Sequence, residues 1–351
     1  MKNAIAFNIP LDSVAGKGFI ECFAPTYMFL EGIGNGEVKK CQKGPDGKCV
    51  RCGNCGSPDV QAEYFYMFSA MSGQSTTRER FDGELSGSQK WLSGTRALEC
   101  GTDDMVEFLF GFAGYEYRKH TDCAKFRDEI ITSIDAGRPV IARGKEGDKR
   151  FHVIVGYKDN KLLYPRNQSP QGPQFDRLDT LYIIGGKTEP RFSPVDGLRR
   201  IQRVLEMNGE EKLWDGYIET MVRLSDGGDK VTKAEVTEKT ARMKRVADTM
   251  GYTWQMHSFA EALRKCLEKE PQSPALSDCL KNVDSLVGDI MGYTWGLVHL
   301  KGRMDWSDIH FAAEDGILKI IRLSLQALKE TDDKLLETIK EAIAILEEAA
   351  S

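Results

Sequence analysis

The sequence predicts an α+β domain followed by an all-α domain. Up to Lys187, short apolar runs of helical and strand spacing alternate; from Pro194 onward every apolar run has helical spacing. A cysteine- and glycine-rich stretch, 38–59, fits neither pattern and reads as an insert in the first domain. The 351 residues divide accordingly into 1–190 and 191–351, each long enough to bury a core.

The elements follow in order. Cys22 to Glu31 has Phe23, Tyr27 and Leu30 at i, i+4, i+7, and a glycine-rich exit, 32–36, ends the helix. Gln61 to Met71 is aromatic and apolar, and its spacing does not choose between helix and strand. Thr102 to Phe112 is predicted helical, with Asp103 and Asp104 at its positive end. Ala124 to Ala136 places Phe126, Ile130 and Ile134 on one face and stops at Gly137. Strands are expected at Val140–Arg143, Arg150–Tyr157, Lys161–Tyr164 and Thr180–Gly185, with Lys158-Asp-Asn160 as a hairpin turn. In the second domain seven helices are predicted between Val195 and Ala350. The last carries Leu335, Ile339, Ile343 and Leu346 as one stripe. Met250-Gly-Tyr-Thr-Trp254 recurs as Met291-Gly-Tyr-Thr-Trp295, which reads as repeated helix-crossing contacts with glycine for close approach.

Composition narrows the function. Apolar residues make up 41% and charged residues 29%, the balance of an ordinary globular protein. A net charge of −5 without a Lys/Arg cluster argues against nucleic acid and anionic membrane surfaces as partners. No stretch is long and apolar enough for a membrane span, and 1–10 lacks the apolar core of a signal peptide. The expectation is a cytoplasmic protein.

Two residues stand out chemically. Cys22 opens the first predicted helix, where the dipole favours a thiolate. His152 lies within an apolar strand, alternating with Ile154 and facing away from Phe151 and Val153. A base there would take the thiol proton and return it to a leaving group. Glu21, beside the thiol, acts against its ionisation.

Cys22, Gly137-Arg-Pro-Val-Ile141, His152-Val-Ile-Val-Gly-Tyr157, the hairpin and the strand ending in Tyr164-Pro165 together resemble the papain-like fold of bacteriocin-processing cysteine peptidases. They are similar, more closely still, to the N-terminal domain of the butirosin biosynthesis protein H family. That resemblance covers much of 5–225 and implies a papain-like cysteine-peptidase-type domain, with thiol-mediated acyl transfer or amide and thioester hydrolysis on Cys22. A small molecule, a peptide or a carrier-protein thioester would be the substrate, as in peptide or natural-product metabolism. The relatives place a Gln before the nucleophile, whereas 11–21 holds neither Gln nor Asn. Oxyanion stabilisation would then fall to backbone N–H groups, Ser13 or Lys17. Where the relatives carry Asp before Pro, this chain has Tyr164, and Asn167 is the residue expected to orient His152.

Cys41, Cys49, Cys52 and Cys55 are four of nine cysteines. In a reducing compartment this crowding predicts metal binding: structural zinc in a four-thiolate site, with an iron–sulfur cluster as the alternative. The sequence thus supports two functional readings. One is a cysteine-dependent acyltransferase or hydrolase using Cys22, His152 and Asn167. The other is a non-catalytic ligand-binding or metal- and redox-sensing protein that retains the fold. The helical domain offers a surface for homo-oligomers.

Overall fold

A computed structural model describes residues 2–7, 9, 18–33, 59–76, 103–145, 151–158, 161–165, 174–210, 214–215, 218, 258–303 and 315–351. The architecture is mixed α+β. The chain divides into two compact units, Met1–Phe68 with Cys100–Ser193, and Ser69–Glu99 with Pro194–Ser351. This departs from the sequence-based boundary by giving Ser69–Glu99 to the second unit.

The first unit contains β1 (Lys2–Ala4), α1 (Phe19–Leu30), most of α2 (Asp59–Met71), α3 (Asp103–Ala113), β2 (Tyr115–His120), α4 (Phe126–Asp135), β3 (Val140–Gly144), β4 (Phe151–Ile154), β5 (Gly156–Lys158), β6 (Lys161–Leu163) and β7 (Leu178–Lys187). The segment whose spacing was ambiguous is therefore helical, and β1 and β2 are strands the spacing does not reveal. The main sheet is antiparallel in the order β2-β7-β3-β4, and a smaller sheet has the order β1-β5-β6.

The expected strand from Arg150 to Tyr157 is two strands, one in each sheet. Val155 is the transfer point. Its N–H donates to the Leu163 carbonyl at 2.9 Å, and its own carbonyl accepts from the Ile5 N–H at 2.8 Å. Both bonds join it to the small sheet.

Side-chain alternation along the main sheet builds two cores. Ile141, Phe151, Val153, Val155, Tyr182 and Ile184 face one way, against residues of α1 and α3. Val140, Ala142, Ile154, Leu181 and Ile183 face the other way, against Phe126, Ile130 and Ile134 of α4. The register keeps the division consistent, pairing Ile141 with Val153 and with Tyr182, and Ala142 with Leu181.

Helix α1 starts at Phe19, three residues before the sequence pattern places it. Glu21 reaches back to accept the Gly18 N–H at 2.7 Å, which satisfies one orphan donor of the first turn. Pro25 lies inside the helix and supplies no N–H to the carbonyl of Glu21. Thr26 Oγ1 donates to the Cys22 carbonyl at 2.7 Å. The glycine exits behave as the sequence predicts. Gly32 and Gly137 have φ of 67° and 76°. Around them, Ile33 N–H donates to Met28 and Gly32 N–H to Phe29, while Arg138 N–H donates to Ser133 and Gly137 N–H to Ile134. That pair of bonds is the Schellman arrangement, which only a left-handed residue permits.

The second unit holds α5 (Pro194–Glu210), α6 (Phe259–Cys266), α7 (Pro274–Arg303) and α8 (Asp315–Ala350). Helix α8 packs on α7 and on α5. Its stripe Leu335, Ile339, Ile343 and Leu346 is buried, as its spacing predicts. One helix replaces the two expected here, because 331–333 holds neither proline nor glycine to interrupt it, and Thr331 Oγ1 turns back to donate to the Ala327 carbonyl at 2.7 Å. On α5, Arg200 Nε donates to the Ser72 carbonyl at 2.7 Å and Asn208 Nδ2 to the Thr76 carbonyl at 2.8 Å. These two side-chain bonds, and the close approach of Met71 to Gly197, are why the residues after Phe68 group with the helices.

Candidate functional site

Cys22 is the fourth residue of α1 and is 0% exposed. That position removes it from the free N–H groups of the helix terminus, which belong to the residues before it. Its surroundings are apolar: the same core holds Phe19, Phe23, Phe68, Phe110, Phe151 and Tyr182. Phe19 is the hinge of the cluster, with ring centroids 5.1 Å from Tyr182 and 5.3 Å from Phe151, both edge-on. Burial pushes the Cys22 thiol well above its ordinary range, and the negative charge of Glu21 adds to the effect. Both causes favour S–H over thiolate, and the thiolate is the nucleophile.

His152 is buried on β4 and pairs across the ladder with Ala142. Residues opposite each other in an antiparallel pair share a face, so His152 is on the side of Ala142 and Ile154. Its ring meets Tyr164 at 5.6 Å in an edge-on contact, and Tyr164 packs against that same core. Cys22 belongs to the core on the other face. Helix α1 does pack on β4, but the residues it meets from that strand's facing side are Phe151 and Val153. The structure therefore brings the two elements together and directs the two side chains into different cores.

Asn167 lies outside the described residues. Tyr164, a residue that sequence reasoning passed over except as a departure from Asp-Pro, is the one that meets the His152 ring. The signal was its place at the end of the strand paired with β5.

The zinc centre read from the sequence is corrected here. Among the described residues no group of three or more His, Cys, Asp or Glu is arranged to hold a metal ion. Cys41, Cys49, Cys52 and Cys55 lie outside the described residues. Two-residue spacing supplies ligand types, but a site exists only where the fold converges four of them at about 2.3 Å on one point. Neither zinc nor the iron–sulfur alternative is carried into the functional reading. His120 approaches a single carboxylate, with Nε2 at 3.7 Å from Glu129 Oε1, while the nearby Cys123 Sγ donates to the Leu178 carbonyl at 3.6 Å.

A polar cluster of short contacts joins α1 to the strands. Glu31 accepts from Tyr115 Oη at 2.6 Å and from Lys187 Nζ at 2.6 and 2.7 Å. Burial alone would raise the Glu31 carboxyl; Lys187 and Tyr115 outweigh it and hold the group below its ordinary value. Burial, with the charge of the same carboxylate adding to it, raises the Tyr27 hydroxyl to about 12. All of Glu31's short contacts are internal, so the cluster serves as a clasp between α1, β2 and β7. Among the described residues no helix is long and apolar enough to cross a membrane. No family model matches the chain, and no curated protein matches it.

Proposed function

We propose that residues 1–190 form a papain-like domain that binds its ligand without turning it over. The chain is then a non-catalytic, ligand-binding relative of the cysteine peptidases and acyltransferases that its motifs resemble. The observation that carries this reading is the placement of Cys22: fully buried in an aromatic core, where burial disfavours the thiolate, and separated from His152 by the faces of the sheet. A nucleophile needs a thiolate that solvent and substrate reach, with a base at hydrogen-bond distance. The ligand class is the one the resemblance implies, an acyl thioester or a peptide.

Acyl transfer on Cys22 is the second reading, favoured by the packing of α1 directly on β4, the strand that carries His152. One experiment separates the two. The full chain is incubated with a simple acyl thioester and an amine, products are quantified, Cys22 is examined by mass spectrometry, and intrinsic fluorescence is followed against thioester concentration. The expected result is a saturable fluorescence change with no acyl adduct and no product. An adduct on Cys22 that disappears in His152→Ala establishes acyl transfer instead, and a flat fluorescence titration contradicts binding.

A further inference from the structure

The helical unit has a groove along one flank of α7 and α8. The two helices run antiparallel: the Cys279 thiol donates to Glu341, while Asn282, Ser285 and Leu286 stand opposite Asp333, Lys334 and Glu337. The groove between them measures about 530 Å³. Seven residues are nearly two helical turns, so side chains seven apart share a face. Tyr293 is seven on from Leu286; Ile320 and Ala327 precede Lys334 at that spacing, and Leu323 and Glu330 precede Glu337. The antiparallel arrangement carries both series toward the same end. Tyr293, Ile320 and Leu323 are also the large apolar side chains that stay exposed among the described residues, at 38%, 50% and 50%. The flank thus has an apolar end built by these three. At its acidic end Glu330, Asp333 and Glu337 outnumber Lys334. Lys340 pairs with Glu337 at 3.0 Å without lining the groove.

Residues 219–257 lie outside the described residues, and the chain on either side of them is fixed beside this groove. Before them, Trp214 Nε1 donates to Asp332 Oδ2 at 2.7 Å and Asp215 Oδ1 accepts from Lys329 Nζ at 2.6 Å, both on α8. After them comes α6, whose Arg264 pairs with Asp284 of α7 at 3.0 Å. Within them, Val246-Ala-Asp-Thr-Met-Gly-Tyr-Thr-Trp254 repeats Val287-Gly-Asp-Ile-Met-Gly-Tyr-Thr-Trp295 of α7 at seven of nine positions. In α7 this stretch buries Val287, Ile290 and Thr294. The copy holds Val246, Thr249 and Thr253 at the same spacing. Just ahead of it come Lys239, Arg242, Lys244 and Arg245, with no acidic residue in 239–247. Basic first and apolar second is the order that complements the groove, read in the direction of α7.

We propose that residues 239–254 dock as an amphipathic helix on the α7–α8 groove, parallel to α7 and with the repeat level with its counterpart there. At that level Arg242 and Arg245 meet the acidic end, and Met250 and Trp254 cover Tyr293, Ile320 and Leu323. The apolar contacts supply the affinity and the charges set the direction. Anchoring on both sides makes the docking intramolecular, so the segment reaches the groove at a far higher effective concentration than a second copy of the chain does. The inference does not depend on what the first unit binds.

The test is amide deuterium exchange of the native full-length chain, read by mass spectrometry on peptides covering 239–254. In wild type these amides are expected to exchange more slowly than in the unfolded chain. Ile320→Glu with Leu323→Glu alters two exposed positions, and is expected to speed that exchange about tenfold while peptides of α7 and of 332–350 keep their protection. Asp333→Lys is expected to speed it as well, and Arg245→Glu in the same chain to restore it, because the exchanged charges attract again. Wild-type exchange at the unfolded rate overturns the docking. So does protection that ignores the Ile320 and Leu323 substitutions, or a charge exchange that restores nothing. Protection that disappears on dilution, as light scattering shows a dimer becoming a monomer, overturns it by assigning the groove to a second copy.

Discussion

Phe19 and Cys22 occupy one turn of the same helix and meet different demands. Phe19, 0% exposed, has four aromatic neighbours, Phe23, Phe110, Phe151 and Tyr182. Truncating such a side chain forfeits its transfer energy and leaves a cavity, so Phe19→Ala is expected to cost about 3–5 kcal/mol in a denaturant titration. Cys22 serves that core as a small apolar residue. Replacing its sulfur by a hydroxyl, in Cys22→Ser, buries a polar group among rings and is expected to cost about 1–3 kcal/mol in the same titration. Glu31 gives a pH signature. Its carboxyl lies below the ordinary value in the folded state, so its stabilisation is present above the unfolded value of about 4.3 and is lost as pH falls through the folded value. Lys187 is largely exposed and its pairing is screened by water, so Glu31→Gln is expected to cost only about 1 kcal/mol at pH 7 and little at pH 3, measured by paired melts.

At the scale of elements, glycine acts through two separate effects. Gly137 ends α4 with φ of 76°, and a Cβ there would meet nothing within 4 Å. Gly137→Ala therefore adds backbone strain alone, about 1–2 kcal/mol. Gly111, in the last turn of α3, has ordinary helical backbone, but a Cβ there would come within 2.6 Å of the Phe192 ring. Gly111→Ala is expected to be destabilising despite the better helix propensity of alanine, and Phe192→Leu in the same chain to recover part of the loss; chemical denaturation of the three variants checks both statements. These glycines also show what the sequence reveals. The stops after α1 and α4 were readable because a glycine following an apolar-periodic run is a local signal. The end of β4 was not. Phe151 to Tyr157 is continuously strand-like, and the division at Val155 depends on hydrogen bonds to Ile5 and Leu163, partners distant in sequence. Strand β2, Tyr115–His120, was hidden for a related reason: it is an edge strand whose period-2 alternation is broken by a bulge between Tyr115 and Tyr117 and by the consecutive exposed residues Arg118 and Lys119.

For the molecule as a whole, the α+β character and the helical C-terminal half were legible because hydrophobic periodicity reports directly on how a segment is buried. The candidate site was legible only as a set of residue types. Sequence order places a cysteine on a helix and a histidine on the strand face opposite Phe151 and Val153; it does not say which of the two faces the helix covers. That depends on register, and one residue of register exchanges every face. The pairing of His152 with Ala142 decides it here, directing the imidazole toward Tyr164 while Phe151 and Val153 turn to the core of Cys22. The central claim, that Cys22 is a sealed core thiol, is tested most directly by its alkylation rate against pH in the native full-length chain, in wild type and in His152→Ala, with each site assigned by mass spectrometry. The account predicts a slow rate at every pH up to about 9, the same in both proteins, rising sharply once the chain is unfolded. A rate that is fast in the native chain, persists well below the free-thiol value of about 8.5 and falls in His152→Ala would contradict it.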